Sequence, residues 1–176
     1  GRQAGALVSR ARSLCLSPDY MDWAEGRQGA GLMASANASL GMWLQPPIDA
    51  IRNADKEHPI TTSYSDILMA RQPANNALDY VTVHRYPNAS AKGLAGATRA
   101  LNNLRSAFPG KPVLLGEFGF STSGMSPEES ANYETAVYLQ ILSESLPGAG
   151  KWMLNDFPKG FDPRHNSFGA YTGAGP

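Results

Sequence analysis

Pro112-Val113-Leu114-Leu115-Gly116-Glu117-Phe118 puts apolar side chains on both faces of an extended segment. A strand that is apolar on both sides must be covered on both sides, the situation of a strand in a parallel sheet. Its neighbours in the chain fit that reading. Residues 91–108 carry Leu94, Leu101, Leu104 and Phe108 on one helical stripe, and Pro109-Gly110 stops them. Ser126-Pro127-Glu128-Glu129 supplies an N-cap serine, a proline at the first helical position and a capping-box glutamate. The helix it opens is expected to run to about Leu146, with Val137, Ile141 and Leu142 turned inward.

Around these lie further segments of the same kind. Residues 46–56 read as a helix with Pro46 and Pro47 at its start and Ile48 and Ile51 on one face, ended by His58-Pro59. Ile60–Tyr64 reads as a strand, 66–78 as a loop or short helix broken at Pro73, and Tyr80–Tyr86 as a strand stopped by Pro87. Lys151–Phe157 reads as the last strand. Strands joined by helical crossovers predict an α/β fold with about four parallel strands. Residues 1–42, rich in Gly, Ala, Arg and Ser, carry no strand signal and stay unassigned, whether helical or irregular.

A chain of 176 residues suffices for one core but is short for a complete (β/α)₈ barrel, which takes about 250. Lys+Arg and Asp+Glu balance at 15 each, which argues against nucleic acid or an anionic membrane surface as partner and suits a neutral ligand. No apolar run approaches the length of a membrane span, and no signal peptide is evident. The single cysteine, Cys15, allows no intrachain disulfide. Phosphate loops, dinucleotide fingerprints, zinc motifs and a serine-hydrolase elbow are absent, so neither a cofactor nor a metal is expected.

Chemistry concentrates at strand ends. Glu117 closes an apolar strand within Gly116-Glu117-Phe118-Gly119. In a parallel α/β barrel the strand C-termini face the active-site mouth, where a carboxylate can attack an anomeric carbon. His84 and Tyr86 end the preceding strand and share a face, since they are two residues apart. A phenol beside a carboxylate orients it, and an imidazole binds hydroxyls. Trp152 on the last strand offers an indole for stacking on a sugar ring, and Asn155 and Asp156 follow with hydroxyl-binding groups. Each has a plainer alternative: a solvated loop glutamate, a packed histidine, a core tryptophan, a loop-capping aspartate.

Taken in order, His-x-Tyr, Gly-Glu-Phe-Gly and Trp on three successive strands resemble the clan A glycoside hydrolases. They are similar to strands six to eight of the cellulase-like family 5 enzymes. Ala50–Asp55 with His58-Pro59-Ile60-Thr61 resembles that family's fourth helix and fifth strand, and Phe168-Gly169-Ala170-Tyr171 its closing segment. The resemblance covers roughly residues 43–173 and implies that 43–176 form half of a (β/α)₈ barrel. It implies retaining hydrolysis of β-glycosidic bonds in an oligo- or polysaccharide, of the cellulase or mannanase kind, and a secreted location. It further implies Glu117 as nucleophile, Tyr86 as its hydrogen-bond partner, His84 as a substrate or proton-relay contact, and Trp152 as the sugar platform. The family's acid/base residue stands in an Asn-Glu pair, and this chain has none. Glu25 is the one glutamate before residue 46 and follows no readable strand. Two readings follow. One is a glycosidase completed by a missing N-terminal half or by a second copy in a homodimer. The other is a catalytically incomplete half-barrel that self-associates and at most binds sugar.

Overall fold

The computed structural model describes residues 27–154, 156 and 167–170. They fall into two compact units. The first holds a long helix, α1 (Arg27–Ala54), and a 3₁₀ helix, Pro73–Ala77. Leu40, Leu44 and Ile48 are its buried stripe, spaced four residues apart. Asn37 Oδ1 accepts the Ala74 N–H at 2.8 Å, and a Cβ on Gly41 would lie 3.7 Å from the Ala74 methyl, so the 3₁₀ helix rests on α1. The helix expected at 46–56 is therefore the final part of a longer one, with Pro46 and Pro47 in its interior. They deprive the Met42 and Trp43 carbonyls of helical donors. Both prolines and both of those side chains are exposed, on a face where water can take the missing bonds. Ile51, expected to share a buried face with Ile48, is exposed.

The second unit holds residues 57–71 and 78 onward. Its elements are β1 (Ser63–Tyr64), α2 (Ile67–Ala70), β2 (Val81–His84), α3 (Ala91–Ala107), β3 (Val113–Phe118), α4 (Pro127–Ser143) and β4 (Ala149–Lys151). The four strands are parallel and lie in chain order, β1-β2-β3-β4. This is the expected α/β architecture, half of a barrel. Val81, Val83, Val113 and Leu115 form one core with Leu94, Leu101, Leu104 and Phe108 from α3 and Val137 and Ile141 from α4. Each such side chain, fully buried, contributes about 1.5–3 kcal/mol.

Local chemistry sets the helix ends. Ser90 Oγ caps α3 by accepting the Gly93 N–H at 3.0 Å. Ser126 and Glu129 form the expected reciprocal capping box on α4. At its other end α4 stops before the expected Leu146. Ser145 adopts a left-handed φ of 52°, and Leu142, expected inside, is 72 % exposed. The last strand is shorter and earlier than expected, ending at Lys151, because its pairing with β3 runs from Ala149 opposite Leu115 to Lys151 opposite Phe118.

Candidate active site

A break in register aims the central carboxylate. Along β2 and β3, Val83 pairs with Leu115, but the next residue, His84, pairs with Glu117. Gly116 is the extra residue, a bulge of the kind that redirects a side chain near a functional site. Glycine leaves the room this needs: a Cβ there would crowd the Thr82 methyl and lie 3.2 and 3.4 Å from the His84 ring, so neighbours would have to shift. The bulge sets Glu117 beside His84, and the Arg85 N–H holds the Glu117 backbone carbonyl at 2.9 Å.

Two side chains then converge on one carboxylate oxygen. The Tyr86 hydroxyl donates to Glu117 Oε2 at 2.6 Å. His84 Nδ1 lies 3.1 Å from the same oxygen and donates when that nitrogen carries the proton. The His84 and Glu117 side chains are 24 % and 28 % exposed, sheltered but reachable. Burial pushes the Tyr86 phenol well above the ordinary tyrosine range, and the hydrogen bond to Glu117 and its negative charge add to this. Tyr86 is thus a hydrogen-bond donor to the carboxylate throughout the neutral range.

The other expected residues are placed as follows. Trp152 lies just past β4, where its backbone N–H donates to the Phe118 carbonyl at 2.7 Å, one residue beyond Glu117. A Cβ on Gly119 would lie 2.4 Å from the Trp152 carbonyl oxygen, so glycine lets that backbone approach. The peptide between Trp152 and Met153 is cis. Asp156 Oδ1 accepts the Gly169 N–H at 2.6 Å and so holds the returning chain at 167–170. Asn155 lies outside the described residues, as does Glu25. Among the described glutamates, Glu134 pairs with Lys151 at 2.7 Å, Glu144 lies 3.7 Å from Arg105, and Glu129 caps α4. No group of three or more His, Cys, Asp or Glu suited to a metal ion occurs among the described residues, and none of their helices is long and apolar enough to cross a membrane.

One aromatic was given no part in the site by the sequence. The Phe168 ring meets the Tyr86 ring edge-on, with centroids 5.7 Å apart and planes at 85°. The segment 168–171 stood out as a closing segment, but a contact between side chains 82 residues apart leaves no local pattern.

No protein-family model and no curated protein matches the sequence. Solved structures do match in fold. A Rhizomucor miehei β-1,3-glucanosyltransferase active-site mutant with laminaritriose is 16% identical at a TM-score of 0.61, over 78% of this chain and 54% of that one. Bacteroides uniformis β-glucuronidase 2, bound covalently to cyclophellitol-6-carboxylate aziridine, is 17% identical at 0.59, over 84% and 19%. An endo-1,4-β-D-mannanase from Thermotoga petrophila is 15% identical at 0.52, over 77% and 48%. The chain therefore has the fold of part of a glycoside hydrolase barrel, and it spans about half or less of these proteins.

Proposed function

We propose that this chain carries the nucleophile half of a retaining β-glycosidase site, acting on a neutral oligo- or polysaccharide. The single observation that supports this best is the convergence of Tyr86 and His84 on Oε2 of Glu117 at the C-terminal ends of adjacent parallel strands. Two donors on one oxygen fix the orientation of the carboxylate and leave Oε1 as the attacking atom. Oε1 forms a bond to the anomeric carbon while the bond to the leaving oxygen breaks, giving a glycosyl ester that water then cleaves. His84 binds a substrate hydroxyl or relays a proton, Trp152 supports the sugar ring, and Asn155 and Asp156 are assigned to hydroxyls near it.

The leaving oxygen of an ordinary glycoside needs a proton from a second carboxylate about 5–5.5 Å from the first. We assign that group to another segment or to a second copy of the chain. A two-fold pairing of half-barrels would close eight strands and cover the free sides of β1 and β4. Light scattering is expected to give twice the chain mass, and a well-folded monomer would argue against the pairing.

Aryl β-glycosides with good leaving groups need little acid assistance, so they test Glu117 alone. Wild-type protein should release a burst of phenol approaching one per chain, and Glu117→Gln should release none. Equal release from both, or none from either across gluco- and manno-configured substrates, would favour the catalytically incomplete half-barrel.

A further inference from the structure

Lys151, the last residue of β4, is only 15 % exposed, and its ammonium makes three contacts to three parts of the chain. It lies 2.7 Å from Glu134 Oε1 on α4, itself 14 % exposed, 2.7 Å from the Phe168 carbonyl and 3.4 Å from the Trp152 carbonyl. An ammonium has three N–H donors, and all three are used. Burying such a pair is costly, and an apolar pair of similar volume would join α4 to β4 at least as stably. An apolar pair would not hold backbone carbonyls. Lys151 holds those of Trp152 and Phe168.

Other bonds fix the same returning segment. Met153 N–H donates to the Phe168 carbonyl at 3.1 Å and Ala170 N–H to the Met153 carbonyl at 3.0 Å. Thr122 N–H donates to the Ser167 carbonyl at 2.8 Å, and Asp156 takes the Gly169 N–H. With its backbone held from both sides, the Phe168 ring has little freedom. It stands edge-on to Tyr86, and a Cβ at Gly119 would come to 3.0 Å from it.

We propose that Lys151 and Phe168 form a clamp that positions the Tyr86 phenol on Glu117. Lys151, neutralised by Glu134, sets the Phe168 backbone; the Phe168 ring, edge-on to Tyr86, covers one part of a residue that is still 43 % exposed and sets its position; Tyr86 sets the carboxylate. Both are positioning residues, since neither touches Glu117 in the contacts above. The clamp deepens the reading of Glu117 as a nucleophile and rests on that reading for its effect on rate, but the contacts are testable whether or not the chain cleaves a glycoside.

The test uses full-length protein carrying ζ-¹³C tyrosine, with the Tyr86 signal identified by its loss in Tyr86→Phe. At about pH 11, above the ordinary tyrosine value of about 10, wild-type Tyr86, bonded to Glu117 and partly covered, should stay protonated. Phe168→Ala should lower its ionisation toward the ordinary range, with the nearby Glu117 charge still holding it above, and Phe168→Leu, which keeps bulk without an aromatic edge, should lower it less. Lys151→Met should shift Tyr86 in the same direction with Phe168 still present. A Lys151→Met protein that loses stability while its Tyr86 signal follows wild type would make Lys151 merely structural and overturn the clamp. If that variant does not fold, Glu134→Gln, which keeps an acceptor for Lys151, is expected to give a smaller shift of the same sign. A nuclear Overhauser effect between the Phe168 and Tyr86 rings in wild type is also required, and its absence overturns the proposal with no variant needed. If wild type releases no phenol from aryl glycosides while the titrations keep this order, the glycosidase reading falls and the clamp stands.

Discussion

Glycine at position 116 serves the carboxylate beside it twice: it is the extra residue that turns Glu117 toward His84, and it leaves room for the Thr82 methyl and the His84 ring. Gly116→Ala should therefore cost about 1–3 kcal/mol by overpacking and should widen the 3.1 Å gap between His84 and Glu117. Chemical denaturation measures the first effect, and histidine ring shifts in NMR report the second. Tyr86→Phe removes the 2.6 Å donor to Oε2 and leaves the ring against Phe168. It should slow the burst from an activated aryl glycoside about 10²-fold, the usual scale for one aligned donor, with little change in stability. Loss of stability without loss of rate would make the phenol a packing group. Because burial and Glu117 raise the Tyr86 phenol above the ordinary range, Tyr86 is not expected to cause an alkaline fall in rate near pH 10, and a rate profile against pH checks this.

Among the elements, α4 is the one whose ends were clearest to read at its start and least at its finish. Ser126→Ala should cost about 1 kcal/mol by removing the cap. Glu129 is held below the ordinary carboxylate value of 4.5 by the Ser126 N–H and hydroxyl. A lowered native value means its charge stabilises the fold above the unfolded value and stops doing so as pH falls through the native one. The stability difference between wild type and Glu129→Gln should be full at neutral pH and should shrink as pH falls below the ordinary value of 4.5. At the other end, Ser145 pays for a left-handed backbone, and Ser145→Gly should raise stability by roughly 0.5–1 kcal/mol in a urea melt. The capping box, the stripe of α3 and the two-faced strand β3 were legible because each is a local pattern. The rest was not, because the deciding interactions are distant or solvent-borne. Pro46 and Pro47 look like a helix start, yet an exposed face lets α1 run through them. The end of β4 is set by pairing with β3, and Leu142, one residue past Ile141, falls off the buried stripe that Val137 and Ile141 define. At the site, His84, Tyr86 and Glu117 were legible as strand-end residues on neighbouring strands. The Phe168 and Lys151 contacts were not, because they depend on a chain return that periodicity does not encode.

For the molecule as a whole, four parallel strands with helices reproduce part of a glycoside hydrolase barrel at 15–17% identity to the structures compared. Likeness at that level fixes the fold, so the reading of function rests on the side chains at the strand ends. Their arrangement makes one carboxylate special: Glu117 is met on one oxygen by both a phenol and an imidazole. Incubation with 2-deoxy-2-fluoro β-glycosides bearing good leaving groups, in gluco and manno configuration, followed by peptide mass spectrometry, puts that to the most direct trial. The account predicts a stable fluoroglycosyl ester on the peptide containing Glu117, lost in Glu117→Gln. A label on a different carboxylate, or no label with either sugar, would contradict it.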